Sequence, residues 1–229
     1  MIIKGLQKTT LLDFPSKVAC TVFTGGCNFR CPFCHNASLV LTPNTVPDMS
    51  NEEFFSFLKK RKGILDGVCI TGGEPLLQKD IISFIEEIHS LGFAVKLDTN
   101  GSFPEKLEQI ISKNIIDYIA MDIKNCRDKY ALSVGLTKDV NSVFKSIDLI
   151  MSSGLPYEFR TTVVKELHSI EDISSIAQMI KGARAYYLQC FKDSGDLISS
   201  DFTAHSEQTM REMLEAAAPF VGICELRGI

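Results

Sequence analysis

Three closely spaced cysteines are the residues of this chain best suited to chemistry. Cys27, Cys31 and Cys34 follow C-x3-C-x2-C spacing in a stretch that also holds two glycines and a proline. Three thiolates on one short loop predict binding of a metal ion or an iron–sulfur cluster. Because such clusters usually have four cysteine ligands, three would leave one iron open to a substrate, as a catalytic site requires.

Two alternatives use the same residues with His35. Cys31 to His35 reads C-x-x-C-H, a c-type haem attachment pattern, but the third cysteine and the lack of a secretion signal count against it. The three cysteines and His35 could instead supply the four ligands of a structural zinc site. His35 adjoins Cys34, however, whereas structural zinc sites usually take their ligands from two separated pairs.

Polar or glycine-rich residues accompany the next four predicted strands. Residues 71–75 read Thr-Gly-Gly-Glu-Pro, residues 98–101 read Asp-Thr-Asn-Gly, residues 122–124 read Asp-Ile-Lys, and Arg160 lies within the fifth strand. Since the carboxyl ends of parallel strands meet at one edge of a sheet, we expect these residues and the cysteine loop to form one site. Taken singly, each could be an ordinary turn, helix cap or ion pair.

The residue types at the strand ends predict a ligand with an amine, a carboxylate and a sugar. Glycines allow the backbone to approach a ligand closely. Carboxylates can meet an ammonium, accept from ribose hydroxyls or bind a metal ion, and Lys and Arg can bind a carboxylate. S-adenosylmethionine carries all three groups. The residues concerned are Gly72, Gly73, Glu74, Asp98, Asp122, Lys124 and Arg160.

Strand and helix patterns alternate along the whole chain. Short apolar runs predict strands over 18–23, 67–71, 94–97, 118–121, 157–164 and 186–189, with a terminal strand over 221–226. Helical patterns lie between them, over 51–60, 81–90, 105–113, 138–152, 171–181 and 206–218. Ser50 with Glu53 predicts a capping box at the first of these helices.

Six strand–helix units predict an α/β fold, a partial (β/α)6 TIM-type barrel with parallel strands. A complete eight-stranded barrel typically needs about 250 residues, and this chain has 229. No repeat or long linker divides the sequence, so we expect one domain over 1–229.

Composition and charge exclude several classes of protein. The net charge of −4 argues against a nucleic-acid partner, because phosphate binding needs clustered Lys and Arg. No apolar run approaches the roughly 20 residues that span a membrane, and no secretory leader is visible. We therefore expect a cytoplasmic protein with no membrane partner. The remaining cysteines are expected to be small buried residues, and His89, His168 and His205 to lie on the surface.

The cysteine loop, with an aromatic residue at Phe33 and Gly-Gly-Glu-Pro further on, resembles the radical S-adenosylmethionine (SAM) superfamily. Residues 27–36, Asp-Thr-Asn-Gly and Met-Asp-Ile-Lys at 121–124 resemble the activating enzymes of glycyl radical enzymes. Three further segments, at 12–15, 187–189 and 225–228, are most similar to the activating proteins of anaerobic ribonucleoside-triphosphate reductase.

The resemblance implies a role for each of these residues. Cys27, Cys31 and Cys34 would ligate one [4Fe–4S] cluster, whose open iron the amine and carboxylate of S-adenosylmethionine would chelate. Phe33 would pack near the adenine. The methionine amine would lie at Gly72, Gly73 and Glu74, and the ribose or a bound monovalent cation at Asp98 and Thr99. Asp122 and Lys124, with Arg160 nearby, would complete the methionine end.

The same resemblance implies the reaction and the partners. An electron from the reduced cluster would cleave S-adenosylmethionine to methionine and a 5′-deoxyadenosyl radical, which would take a hydrogen from a glycine of the reductase. Flavodoxin or ferredoxin would supply the electron. Three alternatives stay open. The target could be another glycyl radical enzyme, of formate-lyase type, or it could be a small molecule or peptide. More remotely, the protein could be a non-catalytic iron–sulfur or zinc adaptor.

Overall fold

An eight-stranded sheet forms the centre of the structure, a computed structural model that describes residues 1–135 and 140–229. The strands are hydrogen-bonded in chain order; the first pair is antiparallel and every later pair is parallel. They are β1 (Ile3–Thr10), β2 (Ala19–Thr24), β3 (Gly67–Gly72), β4 (Ala94–Thr99), β5 (Tyr118–Asp122), β6 (Tyr157–Val163), β7 (Ala185–Cys190) and β8 (Ile223–Arg227).

Helices follow each parallel strand from β2 to β7, so the chain contains the six predicted strand–helix units. The helices are α1 (Ala37–Leu41), α2 (Asn51–Lys60), α3 (Ile81–Ser90), α4 (Pro104–Ser112), α5 (Tyr130–Ser133), α6 (Asn141–Ser152), α7 (Ile170–Met179) and α8 (Glu207–Ala217). The predicted start of α6 at Lys138 lies outside the described residues. The capping box at α2 is confirmed, because the Ser50 side chain accepts from the Glu53 N–H and the Glu53 carboxylate accepts from the Ser50 N–H.

The predicted α/β fold with a partial barrel is confirmed, with one strand that the prediction missed. β1 lies antiparallel on the edge beside β2. Its sequence, Ile-Lys-Gly-Leu-Gln-Lys-Thr-Thr, has no apolar alternation, and its three residues from Gln7 to Thr9 are exposed. In the described residues β1 and β8 do not pair with each other, so the sheet stays open at both edges. The single domain over 1–229 stays a prediction.

Side chains alternate between two environments along the parallel strands. In β6, Phe159 belongs to the hydrophobic core, whereas Arg160 and Thr162 line an interior cavity. In β3, Ile70 is in the core, and Cys69 and Thr71 face the cavity. Successive residues of a strand point to opposite faces, so an apolar outer face packs under helices while polar residues gather inside.

Four of the helices pack on the outer face of the sheet. Buried residues such as Phe54, Ile85, Leu107 and Ile147 place α2, α3, α4 and α6 in the same hydrophobic core as the strands. Across the described ranges, no helix is long and apolar enough to cross a membrane.

Candidate active site

A cavity of about 340 Å³ lies at the carboxyl ends of the parallel strands. It brings together residues from the cysteine loop and from the ends of β3, β4, β5 and β6, which are far apart in the sequence. Every predicted site residue except Glu74 lines it: Cys27, Cys31, Phe33, Cys34, Gly72, Gly73, Asp98, Thr99, Asp122, Lys124 and Arg160.

The cysteine loop follows β2 and is fixed by backbone hydrogen bonds. The Gly26 N–H donates to the Leu39 carbonyl (2.8 Å), and the Arg30 N–H donates to the Val134 carbonyl (2.9 Å). Burial raises the pKa of Cys27 to about 11 and that of Cys31 to about 12. All three thiols line the same cavity, which is the donor set that an iron–sulfur cluster requires.

The side chains around the cysteine loop give no support to the zinc alternative. In the part of the chain that the structure describes, no three His, Cys, Asp or Glu side chains are grouped so that they could hold one metal ion. The His35 ring stacks on Phe191, with ring centroids 5.2 Å apart. A cluster differs from a single ion because each cysteine binds a different iron, so its thiolates need not meet at one point.

Gly72 and Gly73 allow the end of β3 to pack against the beginning of the cysteine loop. A Cβ at Gly73 would lie 2.0 Å from the Gly26 carbonyl oxygen, and a Cβ at Gly72 would lie 2.4 Å from the Thr24 nitrogen. Gly72 also has a φ of +113°, which favours glycine. The N–H groups of Gly73 and Glu74 donate to the carbonyls of Thr24 and Gly26, both at 2.9 Å. Contact between backbones therefore requires these glycines.

Glu74 lies behind the cavity wall and does not line the cavity, although the sequence predicted that it would contact the ligand. Its side chain is completely buried. One carboxylate oxygen accepts from the Leu76 N–H (3.0 Å) and the Thr99 hydroxyl (2.8 Å), and the other accepts from the Asn100 N–H (2.7 Å). Burial raises the pKa of Glu74 to about 7, although the three donors oppose the rise. Glu74 thus joins the loop after β3 to the end of β4.

Four charged side chains that line the cavity at the ends of β4 and β5 and within β6 form a connected network. Arg160 donates through Nη1 to Asp98 (3.0 Å) and through Nε to Asp122 (2.8 Å), and Lys124 donates to the second oxygen of Asp122 (3.1 Å). Burial alone would raise the pKa of Asp122, but Arg160 and Lys124 outweigh it and hold that pKa well below its usual range. Burial would lower the pKa of Lys124, yet Asp122 keeps it above its usual value. The Asp122 carboxylate and the Lys124 ammonium therefore both stay charged at neutral pH.

His168 is buried, so the prediction of a surface position was wrong. The Val164 N–H donates to its Nδ1 (3.0 Å), which leaves Nε2 to donate to the Lys124 carbonyl (2.9 Å). Burial lowers the pKa of His168, which keeps the ring neutral. The ring also contacts the edge of Phe33, at a centroid distance of 6.3 Å. His168 therefore connects the segment after β6 to Lys124 and to the cysteine loop.

Several residues of the site were not predicted from the sequence. The Asn36 amide donates to the Gly72 carbonyl (3.0 Å), and the Asn100 amide donates to Asn28 (3.0 Å) and lies 3.7 Å from the Cys27 sulfur. Both asparagines lie within the motifs that the sequence analysis singled out, at 27–36 and 98–101, so their position was a usable signal. Cys69, expected to be only a small buried residue, also lines the cavity, beside Asp98.

A model of the radical SAM superfamily matches residues 21–180. This chain belongs to that superfamily. Over 238 aligned residues it is 34% identical to a protein of Methanocaldococcus jannaschii, MJ1227, provisionally named a glycyl-radical enzyme activating enzyme, with 100% of this chain and 96% of the relative covered. It is also 27% identical to a GTP 3′,8-cyclase of Nautilia profundicola, covering 65% of this chain and 48% of the cyclase.

The fold of this radical SAM protein is also found in solved structures. The crystal structure of Streptococcus suis SuiB bound to S-adenosylmethionine matches with a TM-score of 0.69 at 16% identity, over 90% of this chain and 49% of SuiB. The chain thus spans about half the length of SuiB and of the cyclase. Proteins of the superfamily use a [4Fe–4S] cluster and S-adenosylmethionine. The thiols and the charged wall of the cavity suit both groups.

Proposed function

We propose that this radical SAM enzyme activates a glycyl radical enzyme by removing a hydrogen atom from a glycine Cα of that partner. The observation that carries the proposal is the 34% identity over the whole chain to the M. jannaschii protein of that provisional name. A second M. jannaschii protein of the same provisional name is 27% identical over 70% of this chain. The cyclases, by contrast, are about twice as long as the part that matches.

The residues of the cavity have distinct parts in this proposal. Cys27, Cys31 and Cys34 would hold three irons of the cluster, and the Lys124 ammonium would meet the methionine carboxylate. When bound, the reduced cluster and S-adenosylmethionine supply a 5′-deoxyadenosyl radical that abstracts hydrogen. Phe33, only 3% exposed, would pack beside the adenine and exclude water from it.

The ends of β3 and β4 would position the rest of S-adenosylmethionine. The backbone of Gly72 and Gly73 would face the methionine amine, and Thr99 and Asp98 would face the ribose. Glu74 would hold this wall in place through its three hydrogen bonds without touching the ligand. A fixed wall suits a reaction in which the ligand must be held in one orientation.

A second cavity, beside the first, would let a polypeptide reach the site. It has a volume of about 280 Å³ and shares His35, Thr162 and Gln189 with the first cavity. Its other lining residues come from the end of β7 and from the terminal segment, and include Lys192 and Arg227. A glycine-bearing loop of a partner protein could enter there and reach the cofactor.

The target that we propose is anaerobic ribonucleoside-triphosphate reductase, with flavodoxin or ferredoxin as electron donor. The support is the resemblance of residues 12–15, 187–189 and 225–228 to activating proteins of that reductase. Anaerobically reconstituted protein, S-adenosylmethionine and a reductant should give a glycyl electron-paramagnetic-resonance signal on the reductase and release 5′-deoxyadenosine. Release of 5′-deoxyadenosine with another substrate, and no glycyl signal on the reductase, would refute this target.

A further inference from the structure

Protein cations already occupy the carboxylates at which a monovalent metal ion was expected. The expectation concerned Asp98 and its neighbourhood. Asp98 pairs with the Lys96 ammonium through Oδ1 and with Arg160 through Oδ2 (3.0 Å). Asp122 pairs with Arg160 through Oδ1 (2.8 Å) and with Lys124 through Oδ2 (3.1 Å). Each carboxylate oxygen of the pair therefore has a protein cation as its partner, so the residues do not fit a metal ion.

Lys96 is the unusual member of this set, because it is a buried lysine in the middle of β4. Its residue is only 1% exposed. The ammonium also lies 3.8 Å from the Cys69 sulfur and 6.0 Å from the centre of the Tyr118 ring. Burying an ammonium is unfavourable unless it is paired. Asp98 supplies that pairing, so the ammonium is held at a fixed point behind the cavity wall.

The ion pairs of this network carry a small net positive charge. Lys96, Arg160 and Lys124 carry three positive charges, and Asp98 and Asp122 carry two negative charges, which gives 3 − 2 = +1. Two further carboxylates lie near the network. Glu158, 3.8 Å from Arg160, is paired with Arg227 through two hydrogen bonds. Asp13 lines the cavity and accepts from the Thr21 hydroxyl.

The methionine carboxylate of S-adenosylmethionine would meet this network at Lys124. A metal ion added beside Asp98 would instead lie next to the Lys96 ammonium and the Arg160 guanidinium in a poorly screened environment.

We propose that the Lys96 ammonium is the resident cation of this site, and that the cavity binds S-adenosylmethionine without a monovalent metal ion. The inference rests on the proposed function only in taking this cavity as the S-adenosylmethionine site. Lys96 acts through Asp98 and does not line the cavity, so it is a positioning residue.

The direct test compares S-adenosylmethionine binding with and without alkali cations. Equilibrium dialysis of the cluster-loaded protein would be run in NaCl, in KCl and in N-methyl-D-glucamine chloride at equal ionic strength. We expect the dissociation constant to agree within about twofold among the three salts. A dissociation constant about tenfold or more higher without Na⁺ and K⁺ would overturn the inference.

The variant Lys96→Met tests the same idea in the opposite direction. Its side chain is of similar length but carries no charge, so Asp98 loses one cation and the site gains an opening for another. We expect S-adenosylmethionine binding by this variant to become about tenfold tighter when Na⁺ or K⁺ is added. Lys113→Met, at an exposed ion pair with Glu86, is the matched control and should show no such response.

Two further outcomes separate this inference from the proposed function. If Lys96→Met does not fold, ²³Na line broadening with the wild-type protein and excess S-adenosylmethionine still decides, since a bound Na⁺ would refute the inference. If S-adenosylmethionine binds equally in every salt but no glycyl radical forms, the inference holds and the proposed function fails. Absence of binding in every salt would refute both.

Discussion

Replacing Gly73 by alanine should damage the site without touching a cysteine or a charged residue. The new Cβ would lie 2.0 Å from the Gly26 carbonyl oxygen and 2.7 Å from its carbon, and contacts below 3.0 Å are essentially not found. Both atoms belong to backbone, so no side chain can rotate away. The end of β3 and the cysteine loop must therefore separate by at least about 1 Å.

The cost of that separation can be estimated from the hydrogen bonds it breaks. The Gly73 and Glu74 N–H groups donate to Thr24 and Gly26, both at 2.9 Å. Losing these two bonds costs about 1–3 kcal/mol, and overpacking costs about 1–3 kcal/mol more. We expect the free energy of unfolding to fall by about 2–6 kcal/mol, together with reduced cluster content and weaker S-adenosylmethionine binding.

Chemical denaturation, iron content and equilibrium dialysis would measure these three effects. The chain supplies a matched control for the clash. Neither Gly5 nor Gly73 has a positive φ, so Gly5→Ala makes the same change of residue, but its Cβ would meet only the Phe23 side chain, at 3.4 Å. If Gly73→Ala were as stable as Gly5→Ala and bound cofactor equally well, the argument from backbone contact would be refuted.

Three further predictions concern the chemistry of the cavity. Cys31→Ala should abolish cluster binding and 5′-deoxyadenosine release, whereas Cys20→Ala, a control in the hydrophobic core, should keep both. Iron analysis and chromatography would measure the two effects. Cleavage of S-adenosylmethionine by Cys31→Ala would exclude the cluster assignment. Arg160→Lys keeps the charge but cannot bridge both aspartates, so loss of one charge-assisted bond should weaken S-adenosylmethionine binding about 10- to 100-fold; unchanged affinity in dialysis would contradict this. The pKa of Glu74 rises from 4.5 to about 7 on folding, so between these pH values the folded protein binds a proton that the unfolded chain does not. The stability that this proton contributes is therefore fully present below pH 4.5 and is lost as the pH rises to about 7. Relative to Glu74→Gln, the wild type should therefore lose about 3 kcal/mol of stability across that range, and parallel stability–pH curves from denaturation would be inconsistent with this shift.

Local patterns predicted the elements and most of the cavity. The parallel strands are short apolar runs, and their predicted bounds agree with β2 to β7 to within two residues. The strand-end motifs converged because parallel strands place their carboxyl ends at one edge. β1 was missed because an edge strand with exposed Gln7, Lys8 and Thr9 carries no apolar alternation.

The partners of individual polar residues could not be predicted in the same way. Glu74 accepts hydrogen bonds from Thr99 and Asn100, about 25 positions away in the chain. His168 looked like a surface histidine, yet it is buried against the carbonyl of Lys124. Such pairs depend on how the loops pack, and nothing in the spacing of either residue indicates its partner.

The sequence by itself predicted the three cysteines as a ligand set, and it determined the order of the parallel strands and helices and the edge at which the predicted site residues meet. Those properties follow from local spacing and from the geometry common to parallel sheets. Only the tertiary structure decided that the glycines serve backbone contact, that Glu74 supports the wall, and that Lys96 neutralises Asp98. These depend on distances between separate strands, which are set when the sheet curves and its side chains pack.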